Sequence, residues 1–350
     1  MHFVFFRRIG DFAGDPYVSE VRTITVAADD DGVRLDRWFK KHFPDLTHGR
    51  LQKLLRTGQV RLDGGRVKAG IRIEKGQEVR IPPMPAALPQ ARGPQRSGVK
   101  WTRQDSDTVD DLRDRVLYID DDVLALNKPA GLAVQGGSKT HRHLDRYLPE
   151  LTFGAKETPK LVHRLDKDTS GVLILARNGP SARSLTEKFR LRDVRKLYWA
   201  LVVGIPEVRG GLIDVRLAKR GGHGDEKMVE AENGKIAQTV YQVIDHAGRH
   251  LSLVAAEPLT GRTHQIRAHL ALALGTPIIG DGKYGGAEAF PEGVPEGGRL
   301  HLHARAVLLP GNSGQPILLE APPSDHMLAT CQFLGFDPVA EAGEFLDEWS

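Results

Sequence analysis

A single cysteine, Cys331, stands in 350 residues. It has no internal partner for a disulfide and no companions for a thiolate metal cluster, which excludes a disulfide scaffold, structural zinc and dithiol redox chemistry, and fits a reducing, cytoplasmic home. No apolar run approaches the roughly 20 residues needed to span a bilayer, so no membrane partner is expected. The start, MHFVFFRRIG, places its arginines after a short apolar run, the reverse of a secretory signal, and export is not expected. No repeat of fixed period appears, and strong net charge is missing too: 49 basic against 45 acidic residues leave +4. What is present is an ordinary globular balance, 40% hydrophobic and 27% charged, in a chain long enough for about two domains.

The charge is unevenly placed. Between Asp31 and Arg80 there are 13 Lys and Arg against 6 Asp and Glu. Clustered cations on one small module are the footprint of a nucleic-acid binder, although a solvated basic face is a commoner origin of such a count. The pattern around them is more specific. Leu35, Trp38 and Phe39 recur at helical spacing; a second run sets Leu51, Leu54 and Leu55 on one face and Arg50, Lys53 and Arg56 on the other, with Gly58 ending the helix. Val60 and Leu62, a turn at Asp63, Gly64 and Gly65, and then Val67, Ile71, Ile73, Val79 and Ile81 read as a small sheet. The strings RLDRWF, GRLQKLLRTGQVRLDGGRV and KGQEVRIP resemble the RNA-binding domain first described in ribosomal protein S-four. That resemblance implies phosphate contacts from Arg50, Lys53 and Arg56, with Lys40 and Arg61 behind them.

The composition then shifts to PPMPAALPQARGPQRSG and an acidic stretch, read as a semi-extended linker. The expected organisation is an extension at 1–22, the basic domain at 23–82, a linker at 83–112, a larger domain at 113–335 and an acidic tail at 336–350. The larger domain is rich in short strands with glycine turns. Val116 to Tyr118 and Val123 to Leu126 should pair around Asp120 to Asp122, and Val172 to Ala176 should be a buried central strand.

Polar groups crowd four places in that domain. In LVHRLDKDTSGVLILARN, His163, Arg164, Asp166, Lys167, Asp168 and Thr169 precede the apolar strand; taken alone, both aspartates read as turn caps. KLYWALVVG carries Tyr198 among aliphatics, where an ordinary half-buried sheet tyrosine would also fit. TGRTHQIRAHL opens a helix with Ile266, Leu270 and Leu274 toward the core and His264 and Arg267 on another side. GDGKYGG and LHLHARAVLLP add a glycine loop and a further strand.

In this order, with NKPAGLAVQGG and KIAQTVYQV, these pieces resemble the RluA-type pseudouridine synthases, which modify ribosomal and some transfer RNA; the pair HRLD-x-x-TSG and GRTHQIR is highly specific. The resemblance implies an α+β fold, a mixed, largely antiparallel sheet of pseudouridine-synthase type behind the small S-four-like domain. It makes Asp166 the catalytic aspartate, Tyr198 the aromatic that stacks on the target uracil, and Arg267 the ion-pair partner of Asp166. The reaction detaches uracil from ribose and rejoins it through carbon 5, which asks for an aimed carboxylate and an aromatic wall that keeps the base captive. Neither a metal nor another cofactor is implied. Attack of Asp166 on the ribose, attack on the uracil ring and abstraction of the 2′ proton all remain open.

A uridine in folded RNA must first leave its stack. By resemblance Arg164 enters the gap, whereas a salt bridge to Asp168 is its structural alternative. Arg262 and His264 are phosphate-binding or supporting groups, and His163 is a satisfied loop histidine. The expected substrate is 23S large-subunit ribosomal RNA, with transfer RNA as the alternative, and the expected state is a monomer. Two rivals remain: DTSG resembles the aspartic-protease nucleophile loop but has no second copy, and an RNA-binding assembly protein with a dead synthase domain would not need Asp166, Tyr198 and Arg267 together.

Overall fold

The computed structural model describes residues 21–43, 46, 48–82, 101–137, 140–222, 226–311 and 315–337. Contacts divide the chain into two units, Met1–Gly98 and Val99–Ser350. The extension at 1–20 and the tail from 338 lie outside the described residues, as do the side chains of Arg50 and Lys53.

The first unit runs β1 (Arg22–Thr25), α1 (Leu35–His42), α2 (His48–Arg56), β2 (Arg61–Leu62) and β3 (Glu78–Ile81). The strands form one antiparallel sheet in the order β1-β3-β2. Leu35, Trp38, Phe39, Leu51 and Leu55 from the helices pack on Val60, Leu62, Ile73, Val79 and Ile81. The chain reverses at Asp63 and Gly64, both at positive φ, in the turn that the Asp-Gly-Gly string demands. Two features differ from the sequence reading. A strand precedes the helices, because Thr23 and Ile24 find partners in Arg80 and Val79. Residues 67–73 form no strand of the sheet; an isolated bridge of Arg34 with Arg72 and backbone hydrogen bonds to Gly32, Val33, Leu35 and Asp36 hold them instead.

The second unit begins with α3 (Arg103–Asp114), and this corrects the assignment of 83–112 to a linker. The sequence Thr-x-x-Asp closes a capping box: Thr102 and Asp105 each satisfy the other's backbone N–H. Val109 and Leu112 are buried on the helix's inner face. Only two apolar residues in three turns made the stretch look like a polar connection. Residues 83–100 of the expected linker lie outside the described residues.

Then follow β4 (Val116–Ile119), β5 (Val123–Lys128), α4 (Leu144–Tyr147), β6 (Lys160–Leu161), β7 (Ser170–Ala176), α5 (Gly179–Leu191), β8 (Arg195–Val203), β9 (Gly210–Arg220), β10 (Lys227–Glu230), β11 (Lys235–Ala247), β12 (Leu251–Pro258), α6 (Gln265–Ala268), α7 (Gly282–Gly285), β13 (Leu302–Leu309), β14 (Ile317–Glu320) and α8 (Asp325–Leu334). The fold is α+β. Its sheet runs β10-β9-β11-β12-β8-β13-β7-β5-β4, with β14 beside β13 and β6 beside β7. Every pairing is antiparallel except β13 with β7. β7 is buried along its whole length, as a continuous apolar run requires.

The parallel seam between β7 and β13 positions the chemistry. Gly171 has φ +105°, and a Cβ there would lie 2.2 Å from the carbonyl oxygen of Ala304; no other residue fits so close an approach. Beside it Ser170 Oγ bonds His303 Nδ1 at 2.8 Å. The loop that ends at Ser170 is thereby fixed to the sheet centre. Among the described residues no helix is long and apolar enough to cross a membrane.

Candidate active site

The loop 163–169 opens onto a cleft of about 460 Å³. It is pinned from several sides. His163 Nε2 accepts the N–H of Ile174 at 2.8 Å, and its ring stacks on Phe189, centroids 4.3 Å apart. Burial, with Lys196 adding to it, pushes this imidazole down to about 3, so it is a neutral structural base. Lys128 is fully buried, and its Nζ donates to the carbonyls of Pro129, Leu132 and Lys167 at 2.8, 2.9 and 3.0 Å. Burial lowers this ammonium to about 7 against the pull of Asp168 and Asp166. Gly131 N–H reaches the same Lys167 carbonyl at 2.9 Å. The backbone between the two aspartates is thus held by groups that the NKPAG string supplies.

Held this way, the loop separates its two carboxylates. Asp166 is half-buried and lines the cleft, whereas Asp168 is exposed and does not. Arg164 lines the cleft with an exposed side chain, and among the described residues no ion pair joins it to Asp168. Across the cleft Tyr198, on β8, faces the loop. Burial first, and the Asp166 carboxylate second, hold its phenol well above the ordinary tyrosine range.

The opposite wall is the turn 260–265. Gln265 is buried and locks it: its Oε1 accepts from Thr260 Oγ1 at 2.7 Å and from Arg262 N–H at 3.0 Å, and its Nε2 donates to Gln238 O and Thr239 Oγ1. Arg262 spends Nε on the carbonyl of Ile236 at 3.0 Å. His264 sits at φ +50°, a conformation that non-glycine residues seldom adopt outside functional or strained sites. The helix that follows is shorter than the sequence pattern suggests: one turn of α6 and then a wider, π-type turn over His269–Ala273.

Arg267 reports a difference from the sequence reading. Its Nη1 lies 3.7 Å from Asp166 Oδ2, an ion pair at arm's length. The bidentate grip falls instead on Asp281, whose two oxygens take Nε and Nη2 at 2.7 Å each. Asp281 is buried and also caps α7, accepting Tyr284 N–H at 3.3 Å. Sequence reasoning saw GDGKYGG only as a glycine loop; an aspartate three residues before a tyrosine was the available signal. His264 Nε2 stands 3.6 Å from the same Oδ2 of Asp166.

The cleft brings Asp166, Tyr198, Arg267, Arg164, Arg262 and His264 together. It adds three cations that the sequence reading did not single out, Arg190, Arg192 and Lys196. Six cationic side chains therefore surround one carboxylate, Asp166, among the lining residues. Such a surface favours a polyanion around a single acidic side chain. Arg50, Lys53 and Arg56 belong to the other unit, where Arg56 is exposed. No group of three His, Cys, Asp or Glu side chains among the described residues is placed to hold a metal ion.

A family model described as RNA pseudouridylate synthase matches residues 122–272. Ribosomal large subunit pseudouridine synthase C of Yersinia pestis is 37% identical over 315 residues, covering 89% of this chain and 94% of that protein. The protein of the same name from Rickettsia typhi is 35% identical over 293 residues, 82% of this chain and 93% of its own. Among solved structures, human RNA pseudouridylate synthase domain containing 4 matches with a TM-score of 0.57 at 30% identity, over 67% of this chain and 98% of that one.

Proposed function

The chain belongs to the RNA pseudouridine synthase family, and from that premise we propose that it isomerises uridines of large-subunit ribosomal RNA, as an intracellular monomer, with Asp166 as the reacting carboxylate. The observation that carries the reading is the cleft: one half-buried carboxylate, an aromatic wall and six cations in a single lining. The names of the relatives supply the ribosomal substrate.

The residues divide the work as follows. Extruding a uridine costs a few kcal/mol; Arg164, exposed at the cleft and free of Asp168, fills the vacated stack with a planar cation. Arg190, Arg192 and Arg262 take backbone phosphates at the rim. Tyr198 holds the base while its N1–C1′ bond breaks and a C5–C1′ bond forms. Burial first and the charge of Asp166 second hold the Tyr198 phenol above the ordinary tyrosine range. Its hydroxyl oxygen assists removal of the C5 proton. The basic first unit adds sequence-independent affinity through Arg50, Lys53 and Arg56.

The test compares purified protein on large-subunit ribosomal RNA fragments and on transfer RNA transcripts, with pseudouridine mapped at nucleotide resolution. New pseudouridine in the ribosomal fragments, missing at the same positions in RNA from a strain without this protein, supports the reading. Modification of transfer RNA alone overturns the substrate; none on either RNA overturns the activity.

A further inference from the structure

We propose that His264 is a positioning residue for the Asp166 carboxylate, and that Tyr284 sets it by fixing the imidazole in its Nε2–H tautomer. The proposal deepens the preceding reading and rests on Asp166 as the reacting carboxylate.

The geometry behind it is a short chain of hydrogen bonds. Met228 N–H donates to Tyr284 Oη at 3.0 Å. The same oxygen lies 3.0 Å from His264 Nδ1. With its oxygen already accepting from a backbone amide, the phenol's own proton is best placed on Nδ1, the one acceptor within its reach among the described residues. Nδ1 is then a bare acceptor and the ring proton belongs on Nε2, the nitrogen that faces Asp166 Oδ2 at 3.6 Å. The Met228 amide can only donate, and with it on the phenol oxygen the placement of the Tyr284 proton on Nδ1 sets the direction of the rest of the chain.

The electrostatics agree. Burial holds His264 below the ordinary histidine value against the pull of Asp166, with Arg267 and Lys283 pushing the same way as burial and Asp281 opposing them. Lys227 stands over the Tyr284 ring from β10, 5.2 Å from its centroid. The imidazole is thus neutral, and it offers the carboxylate a donor without a second full positive charge. Arg267, the other group at Oδ2, has its own charge matched by the bidentate bond to Asp281. Both groups that face Asp166, at 3.6 and 3.7 Å, are braced from behind by one short segment, Asp281 to Tyr284, and both approach the same oxygen.

Two measurements decide the proposal. The first is ring-nitrogen NMR of the free full-length protein, with His264 assigned by difference from His264→Gln. The expected spectrum shows a protonated Nε2 and a bare Nδ1, and loses that preference in Tyr284→Phe, which keeps the ring over Arg267 and Lys227. A protonated Nδ1 in the wild type overturns the proposal whatever the substrate proves to be. The second is a double-mutant cycle. Tyr284→Phe lowers kcat by about tenfold with KM for RNA unchanged, as expected when the partner that orients a functional group is removed. His264→Gln, whose amide can donate without a choice of tautomer, retains most turnover where His264→Ala does not. In the His264→Gln background Tyr284→Phe has no further effect. Independent, multiplicative losses would assign Tyr284 a role that does not pass through His264. An inactive wild type would fail the functional reading alone, because the NMR measurement still settles the tautomer.

Discussion

At Asp105 a side chain 2% exposed accepts hydrogen bonds from Thr102 N–H, Thr102 Oγ1 and Tyr147 OH, each at 2.8 Å, with Arg146 at 3.4 Å. At Asp166 the carboxylate is 23% exposed and, among the described residues, has two partners, both beyond hydrogen-bond reach at 3.6 and 3.7 Å. Burial raises Asp105, but the bonds from Thr102 and Tyr147 and the charge of Arg146 outweigh it and hold it down at about 2. A carboxylate whose lone pairs are all engaged is a structural part. One that is aimed yet unsatisfied keeps its reactivity for a substrate.

The sharpest way to break this contrast is to neutralise each member. Asp166→Asn removes no direct hydrogen bond, so it melts like the wild type and loses pseudouridine formation by at least about a thousandfold. Asp168→Asn, exposed and outside the cleft, retains substantial turnover. Asp105→Asn does the opposite: turnover per folded molecule stays, and urea unfolding shows a loss of about 2–4 kcal/mol. Robust turnover in folded Asp166→Asn sinks the catalytic assignment.

Acid extends the contrast from carboxylates to imidazoles. His269, His301 and His303 are fully buried, and burial lowers each to about 4. Below the ordinary histidine value the unfolded chain binds protons that the native chain refuses. Their contribution is therefore complete above about pH 6.5 and is lost as pH falls toward 4. Each costs about 1.4 kcal/mol per pH unit in that window. Asp105, already ionised and paired, contributes above its ordinary value near 3.8 and is lost only as pH falls toward 2. Urea midpoints between pH 7 and 4 should fall steeply, and His303→Asn should flatten the slope; a flat wild-type profile would contradict the burial of these rings.

Three smaller effects refine the picture at the cleft. Arg267→Lys cannot grip Asp281 with two donors and reach Asp166 with a third, and is expected to lose about a hundredfold in kcat while still binding RNA. Arg164→Ala should lose about tenfold more activity on structured RNA than on an unpaired fragment, which costs less to open; equal losses would make Arg164 structural. Changing Arg50, Lys53 and Arg56 to Ala should leave kcat alone and flatten the salt dependence of binding by roughly one unit per phosphate contact removed. An unchanged slope would separate the first unit from RNA.

Local signals in the sequence carried much of this. The apolar run Val172–Ala176 read as a buried strand and is one. The polar strings around Asp166, Tyr198 and Arg267 marked three walls of one cleft. What escaped were contacts made by the tertiary fold. The grip of Asp281 on Arg267 joins residues 14 apart across a loop and a helix. β1 is a four-residue strand recognisable only by its partner β3, more than fifty residues later. Lys128 looks like a surface lysine until the loop of Asp166 closes over it. α3 hides because its burial rests on Val109 and Leu112 alone and its start on one capping box.

The place of β13 in the sheet has a consequence for biosynthesis. This strand, Leu302–Leu309, follows every other strand of its sheet except β14 along the chain, yet it lies at the centre, between β8 and β7. Until it emerges from the ribosome, the half carrying Tyr198 and the half carrying Asp166 have no strand to join them, and Ser170 lacks its His303 anchor. Such late, long-range closure is slow and exposes strand edges meanwhile. It also means that a chain not yet extended through β13 has no strand to hold Tyr198 and Asp166 in one sheet, so the cleft is completed only after β13 has been made.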